Sequence, residues 1–182
     1  VLLVVPMATL RWWLLLRAVG LNVEPGRTLI LTWIGNFFNV TLPGAVTGDV
    51  VKGYYGNKSE REDGRTRAFM TLLIDRFVGL FGLVAMAFCA LIFNLEFIWS
   101  QPALHSLVWT IMGLFAATVA FYFITLFPFA EGRDPFIRFF SRLPARGFTI
   151  KVYTAFKSYQ HQKQTLAYTL LLAVGIHMLI GL

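Results

Sequence analysis

The chain has almost no cysteine and little charge. Cys89 is the one cysteine among 182 residues, so neither a disulfide nor a cysteine-based metal site can form within one chain. Charged residues make up 14% and hydrophobic residues 57%, where a soluble domain carries about 25% and roughly 45–50%. That balance excludes a water-soluble domain, and the mean hydropathy of +0.67 agrees. Histidine is just as sparse. His105, His161 and His177 stand far apart, and no H-E-x-x-H pair, Ser-His-Asp set or P-loop occurs. No enzyme activity and no cofactor is therefore expected. Acidic residues are the last shortage, nine against sixteen basic ones, for a net charge of +7. In a membrane protein such an excess marks cytoplasmic loops and anionic lipid rather than nucleic acid. There is no internal repeat and no low-complexity segment.

What the chain does have is long apolar sequence. Four stretches, 1–16, 68–93, 104–127 and 164–182, approach the roughly 20 residues that a membrane helix needs. The fold class expected is all-α: a polytopic transmembrane bundle in a single domain over 1–182. Both termini fall inside apolar runs, so the domain is expected to be a fragment of a larger one. Residues 1–10 lack the basic start of a signal peptide.

Charge asymmetry orients the bundle. Residues 50–67 carry Lys52, Lys58, Arg61, Arg65 and Arg67, and residues 128–163 carry seven basic residues, whereas 94–103 holds only Glu96. The positive-inside rule puts 50–67 and 128–163 in the cytoplasm and 94–103 outside. Residues 17–27, with Arg17 and Arg27 against Glu24, also favour the cytoplasm. Segment 28–49 then enters and leaves on the same side, as a re-entrant hairpin turning at Leu42-Pro43-Gly44. A kinked helix that crosses fully is the alternative. Within 133–146, Phe136, Phe139, Phe140 and Leu143 repeat at helical spacing while Arg138 and Arg142 lie on another face. That pattern, continued to 163, suits an amphipathic segment at the membrane surface.

Chemistry concentrates in 36–55, NFFNVTLPGAVTGDVVKGYY. Proline removes a backbone donor and glycine loosens a helix. Broken backbone survives in a bilayer only where protein or a water-filled cavity satisfies it. Asp49 follows the break and is a candidate N-cap for a half-helix whose free N–H groups would favour an anion. Asn39 and Lys52 share the segment. Asp75 and Arg76 lie well inside the second long apolar run, where charges normally face protein and are paired. Asp75, Gly79 and Gly82 share a helix face, and small residues allow close helix approach. Asp49 is the partner expected for Arg76 and Lys52 the partner expected for Asp75. A structural ion-pair lock and a binding role are both open, and neither excludes the other. Arg11-Trp12-Trp13 reads as an interfacial anchor. Asn39-Val40-Thr41 and Asn57-Lys58-Ser59 match the glycosylation pattern, but membrane burial and a cytoplasmic side argue against them.

Taken in order, Arg11-Trp12, Asn39, Leu42-Pro43-Gly44, Gly48-Asp49, Lys52, Tyr54 and Asp75-Arg76 resemble the lysylphosphatidylglycerol synthase transmembrane-region family of flippase-like membrane proteins. The chain departs from that pattern at Ala45-Val46-Thr47, where glycine is commoner, and at Lys52, where arginine is commoner. The resemblance implies a multi-pass protein of a bacterial or archaeal plasma membrane, with a second broken segment beyond Leu182. It also implies movement of a phosphate-bearing lipid, either a phospholipid or a polyprenyl-linked lipid, between leaflets. Asn39, Asp49, Lys52, Asp75 and Arg76 are then the residues expected to bind substrate. A non-transporting scaffold, with a membrane-protein partner or a second copy, is the alternative.

Overall fold

The computed structural model describes residues 3–42, 47–56, 62–126, 154–155, 157–160 and 162–181. The turn at Pro43-Gly44, residues 57–61 and the surface segment over 133–146, with most of its continuation to 163, lie outside them. The described residues contain helices and no strand. We number the helices α1 (Val4–Ala18), α2 (Pro25–Thr41), α3 (Thr47–Gly56), α4 (Glu62–Phe93), α5 (Leu95–Trp99), α6 (His105–Leu126) and α7 (Lys163–Gly181).

Local sequence sets several helix ends. Helix α1 stops at Gly20, whose φ of +80° is open to glycine at little cost. The Gly20 N–H bonds the Arg17 carbonyl and the Leu21 N–H bonds the Leu16 carbonyl, both at 3.0 Å, which closes a Schellman turn. Helix α2 starts from extended Glu24 with Pro25 in its first turn, where the missing N–H costs nothing. It ends at Leu42, which is extended, as the residue before a proline prefers.

Among the described residues, three helical segments are long and apolar enough to cross a membrane: Thr66–Phe93, Pro102–Phe123 and Lys163–Gly181. The first apolar stretch is helical over Val4–Ala18. Helix α6 leaves Leu107, Trp109, Met112, Leu114, Val119 and Phe123 exposed. So large an apolar surface suits lipid rather than water. Threonine hydroxyls along the helices bond the carbonyl four residues back, as at Thr9, Thr32, Thr110 and Thr118, so they place no unsatisfied polar group in an apolar setting.

Helix α4 is the hub. It runs antiparallel to α1, with Arg11 beside Asp75 and Trp12 beside Thr71. It runs antiparallel to α6 through stacked Phe77–Phe121 and Phe88–Phe115. It runs parallel to α7, where a Cβ on Gly82 would lie 2.8 Å from the Ala173 Cβ. One core joins Leu15, Ile74, Val78, Tyr122, Tyr159, Leu166 and Ala173. A second joins Trp12, Leu16, Leu21, Leu31, Ala68 and Leu72 and holds the start of α2 against α1 and α4. The end of α1, the start of α2, the end of α3 and the start of α4 therefore share one end of the bundle. Residues 94–104 close the other.

Candidate functional site

Helices α2 and α3 form an antiparallel hairpin. The Arg27 Nη2 donates to the Tyr55 carbonyl at its base, 3.0 Å. The Gly48 N–H donates to the Asn39 Oδ1 near its tip, 2.8 Å. Between them the two backbones come unusually close: a Cβ built on Gly48 would collide with the Gly35 carbonyl, and one on Gly35 with the Lys52 stem. Glycine is required here for the approach. The segment read as 28–49 is thus the inner part of a hairpin over 25–56, with Lys52 on its returning helix rather than in a loop. Asp49 is also placed differently from the sequence reading. Helix α3 already begins at Thr47, so Asp49 sits in its first turn, and its carboxylate points to other helices.

Two ion-pair systems meet there. Asp75 accepts from Arg11 at both oxygens, Nε–Oδ1 at 2.7 Å and Nη2–Oδ2 at 3.0 Å. Its partner is therefore Arg11 rather than Lys52. The reason is reach and geometry. The planar guanidinium of α1 lies over Gly79, its Nη1 3.5 Å from a Cβ built there, and meets the carboxylate edge-on, the fork geometry that favours arginine. The small-residue face on α4 is thus divided: Asp75 and Gly79 receive α1, and Gly82 receives α7.

Asp49 accepts from the Arg76 Nε at 2.5 Å, which bears out that expected pairing. The Lys52 Nζ lies 3.9 Å from the other Asp49 oxygen and 5.5 Å from the centre of the Trp12 ring, a cation–π distance. Adjacent residues on a helix point about 100° apart. Asp75 therefore fastens α1 and Arg76 fastens α3 to the same turn of α4. The Trp12 Nε1 donates to the Thr71 Oγ1 at 3.2 Å and fixes the ring on which Lys52 rests.

The five groups gather three cations and two carboxylates. Four are largely covered, at 10% exposed for Arg11, 19% for Asp75, 14% for Asp49 and 12% for Lys52, while Arg76 keeps 46% of its side chain exposed. Asp49 lies seven residues from the end of α3, and Asp75 nine from the start of the apolar run on α4. Both are roughly 10–13 Å from the basic end of the bundle at 1.5 Å per residue. Among the described residues the cluster carries one positive charge in excess, and partly covered at that depth it favours an incoming anion.

Of the residues singled out in the sequence, Asp49, Lys52, Asp75 and Arg76 come together. Asn39 is beside them, with its carbonyl oxygen used to close the hairpin. Arg11 was read as an anchor and belongs to the cluster. It lies seven residues from the end of α1, so the depth argument that singled out Asp75 applies to it equally. The two described histidines do not join. The His177 Nδ1 lies 2.8 Å from the Ala173 carbonyl, and His105 packs against Trp99. No three metal-ligating side chains converge among the described residues.

No curated protein and no solved structure matches the chain. The family described as lysylphosphatidylglycerol synthase TM region matches residues 1–182. With its apolar helices and part-buried charge cluster, the chain belongs to that family, and it is a membrane protein of lipid metabolism or handling.

Proposed function

We propose that the protein moves a phosphate-bearing lipid between leaflets, with the headgroup engaged by the cluster at the hairpin tip. The observation that carries this reading is the surplus cation. Among the described residues, Arg11, Lys52 and Arg76 gather around two carboxylates, Asp49 and Asp75, and Arg76 remains half exposed. A lipid phosphate would complete the balance, and Asp49 and Asp75 would meet a cationic or hydroxyl-rich part of the headgroup. Broken helices around a buried polar site are a common transporter plan. On this reading the hairpin is re-entrant, lipid enters from the cytoplasmic leaflet, and the chain is a translocator rather than an enzyme.

Headgroup-labelled anionic lipid in proteoliposomes tests it. Lys52→Glu places a repulsive charge where the phosphate would sit and beside Asp49, so it is expected to slow transfer at least tenfold and to lower the melting temperature. Unchanged transfer in that variant would count against the assignment.

One observation supports a second reading: both carboxylates already have partners within the protein. The cluster then serves as a lock between α1, α3 and α4, in a scaffold for another membrane protein. Absence of transfer by the wild type across several anionic lipids, with a stable fold, would favour the scaffold.

A further inference from the structure

A second feature lies on another side of α4. A cavity of about 560 Å³ opens between the end of α1, the early turns of α4 and Thr154, Ala155, Ser158 and Tyr159. That volume is in the range of small-molecule sites. Val19, Met70, Ile74 and Ala155 line it, together with Arg67 and the hydroxyl residues Thr66, Thr154 and Ser158. Its far wall is fixed, because the buried Tyr159 hydroxyl donates to the Leu15 carbonyl at 3.0 Å. Burial, with Asp75 adding to it, holds the Tyr159 phenol above its usual pKa, so it remains a neutral donor.

Arg67 gives the cavity its character. It is exposed, and no described carboxylate or carbonyl pairs with it. It stands one residue inside the apolar run that starts at Thr66, the level at which long basic side chains reach toward headgroups. From Arg67 to Ile74 the helix rises about 10 Å, so the cavity runs from headgroup level into the apolar layer. A cation at one end and hydrocarbon walls behind it fit a molecule of the same polarity.

We infer that this cavity binds the hydrocarbon chain of an anionic amphiphile whose head is held by Arg67, at a site separate from the cluster around Asp49 and Asp75. Trp12 and Thr71 lie between the two, with Thr71 on the cavity wall and Trp12 facing Lys52. The inference rests on the chain being in a bilayer, not on translocation. Either a phospholipid or a free fatty acid supplies the required chemistry.

Photolabelling of the full chain in phosphatidylcholine nanodiscs tests it. Three probes carry a diazirine in the acyl chain: phosphatidic acid, a fatty acid and phosphatidylcholine itself. Mass spectrometry is expected to place label from an anionic probe on 66–74 and 154–159, several-fold above the phosphatidylcholine probe. The stronger of the two anionic probes identifies the source. Arg67→Glu should lower the anionic labelling at least fivefold, and Ala155→Trp or Ile74→Trp should remove it by filling the cavity. Lys52→Glu should leave it at the wild-type level, so that failure of the headgroup assignment and failure of this one are distinguishable. No anionic label on these stretches, or label insensitive to Arg67→Glu in a protein with a normal melting temperature, overturns the inference.

Discussion

Arg11 and Asp75, 64 residues apart in sequence, form a two-pronged ion pair with bonds of 2.7 and 3.0 Å. It joins the first helix to the middle of the longest one. Neither residue is in a loop, and each side chain is less than one-fifth exposed. The pair therefore has few waters to replace a lost partner.

Removing one member strands the other. A buried pair broken on one side costs about 3–5 kcal/mol, and the partial exposure here places the expected cost at or below the lower end. Arg11→Gln and Asp75→Asn should each lower the melting temperature in detergent by several degrees. The double variant should recover part of the loss, since no lone charge remains. Wild-type melting of both single variants would show that the pair contributes nothing to stability.

Glycine contacts make the hairpin sensitive to one methyl group. Gly48→Ala pushes a Cβ into the Gly35 carbonyl, and overpacking of this kind costs about 1–3 kcal/mol. Gly113→Ala on α6 meets nothing within 4 Å and gains helix propensity. The first variant should melt lower than wild type and the second no lower. Equal behaviour of the two would refute the close packing of α2 on α3.

These two cases show where the sequence is legible. The hairpin could be read because proline, glycine and charge in an apolar run are local signals that break a pattern. The Asp49–Arg76 pair was accessible for a similar reason: both residues are anomalous where they stand. Pairing Asp75 with Arg11 was not accessible, because it depends on which face of α1 meets α4. A lone arginine beside two tryptophans fits an interfacial anchor equally well. The cavity at Arg67 had no sequence signal, since it arises from packing among three separated segments.

Thr71 carries a hydrogen bond whose loss should be measurable. Its hydroxyl accepts from the Trp12 indole and donates to the Ala68 carbonyl at 2.7 Å, and all three residues are buried. Thr71→Val keeps the shape and leaves the indole N–H without a partner, at a cost of about 1–3 kcal/mol. A lower melting temperature and altered tryptophan fluorescence are expected. An unchanged spectrum and unchanged melting would mean that the indole is satisfied otherwise.

The packing of helix ends shows which positions lie together, and the basic residues near them give the expected side. Asn22 and Tyr55 lie at one end of the bundle and Ser100 at the other. In a Cys89→Ala background, single cysteines at 22 and 55 should label together from the cytoplasmic face of intact cells or inverted vesicles, and position 100 from the opposite face. Labelling of 22 and 55 from opposite faces would establish that segment 28–49 crosses the membrane once and does not return.

A charge exchange separates the lock from the lipid site. Asp49→Arg with Arg76→Asp preserves the net charge and allows an ion pair of reversed polarity between α3 and α4. If the pair only fastens the helices, the exchange should restore both melting temperature and lipid transfer toward wild type after either single change has lowered them. A headgroup role predicts a split. The guanidinium would move from half-exposed α4 to the covered first turn of α3, next to Lys52, so a phosphate approaching Arg76 would meet a carboxylate. Stability should then recover by at least half, while transfer remains at least tenfold below wild type. Recovery of both would remove Arg76 from the headgroup path and leave it as a fastener.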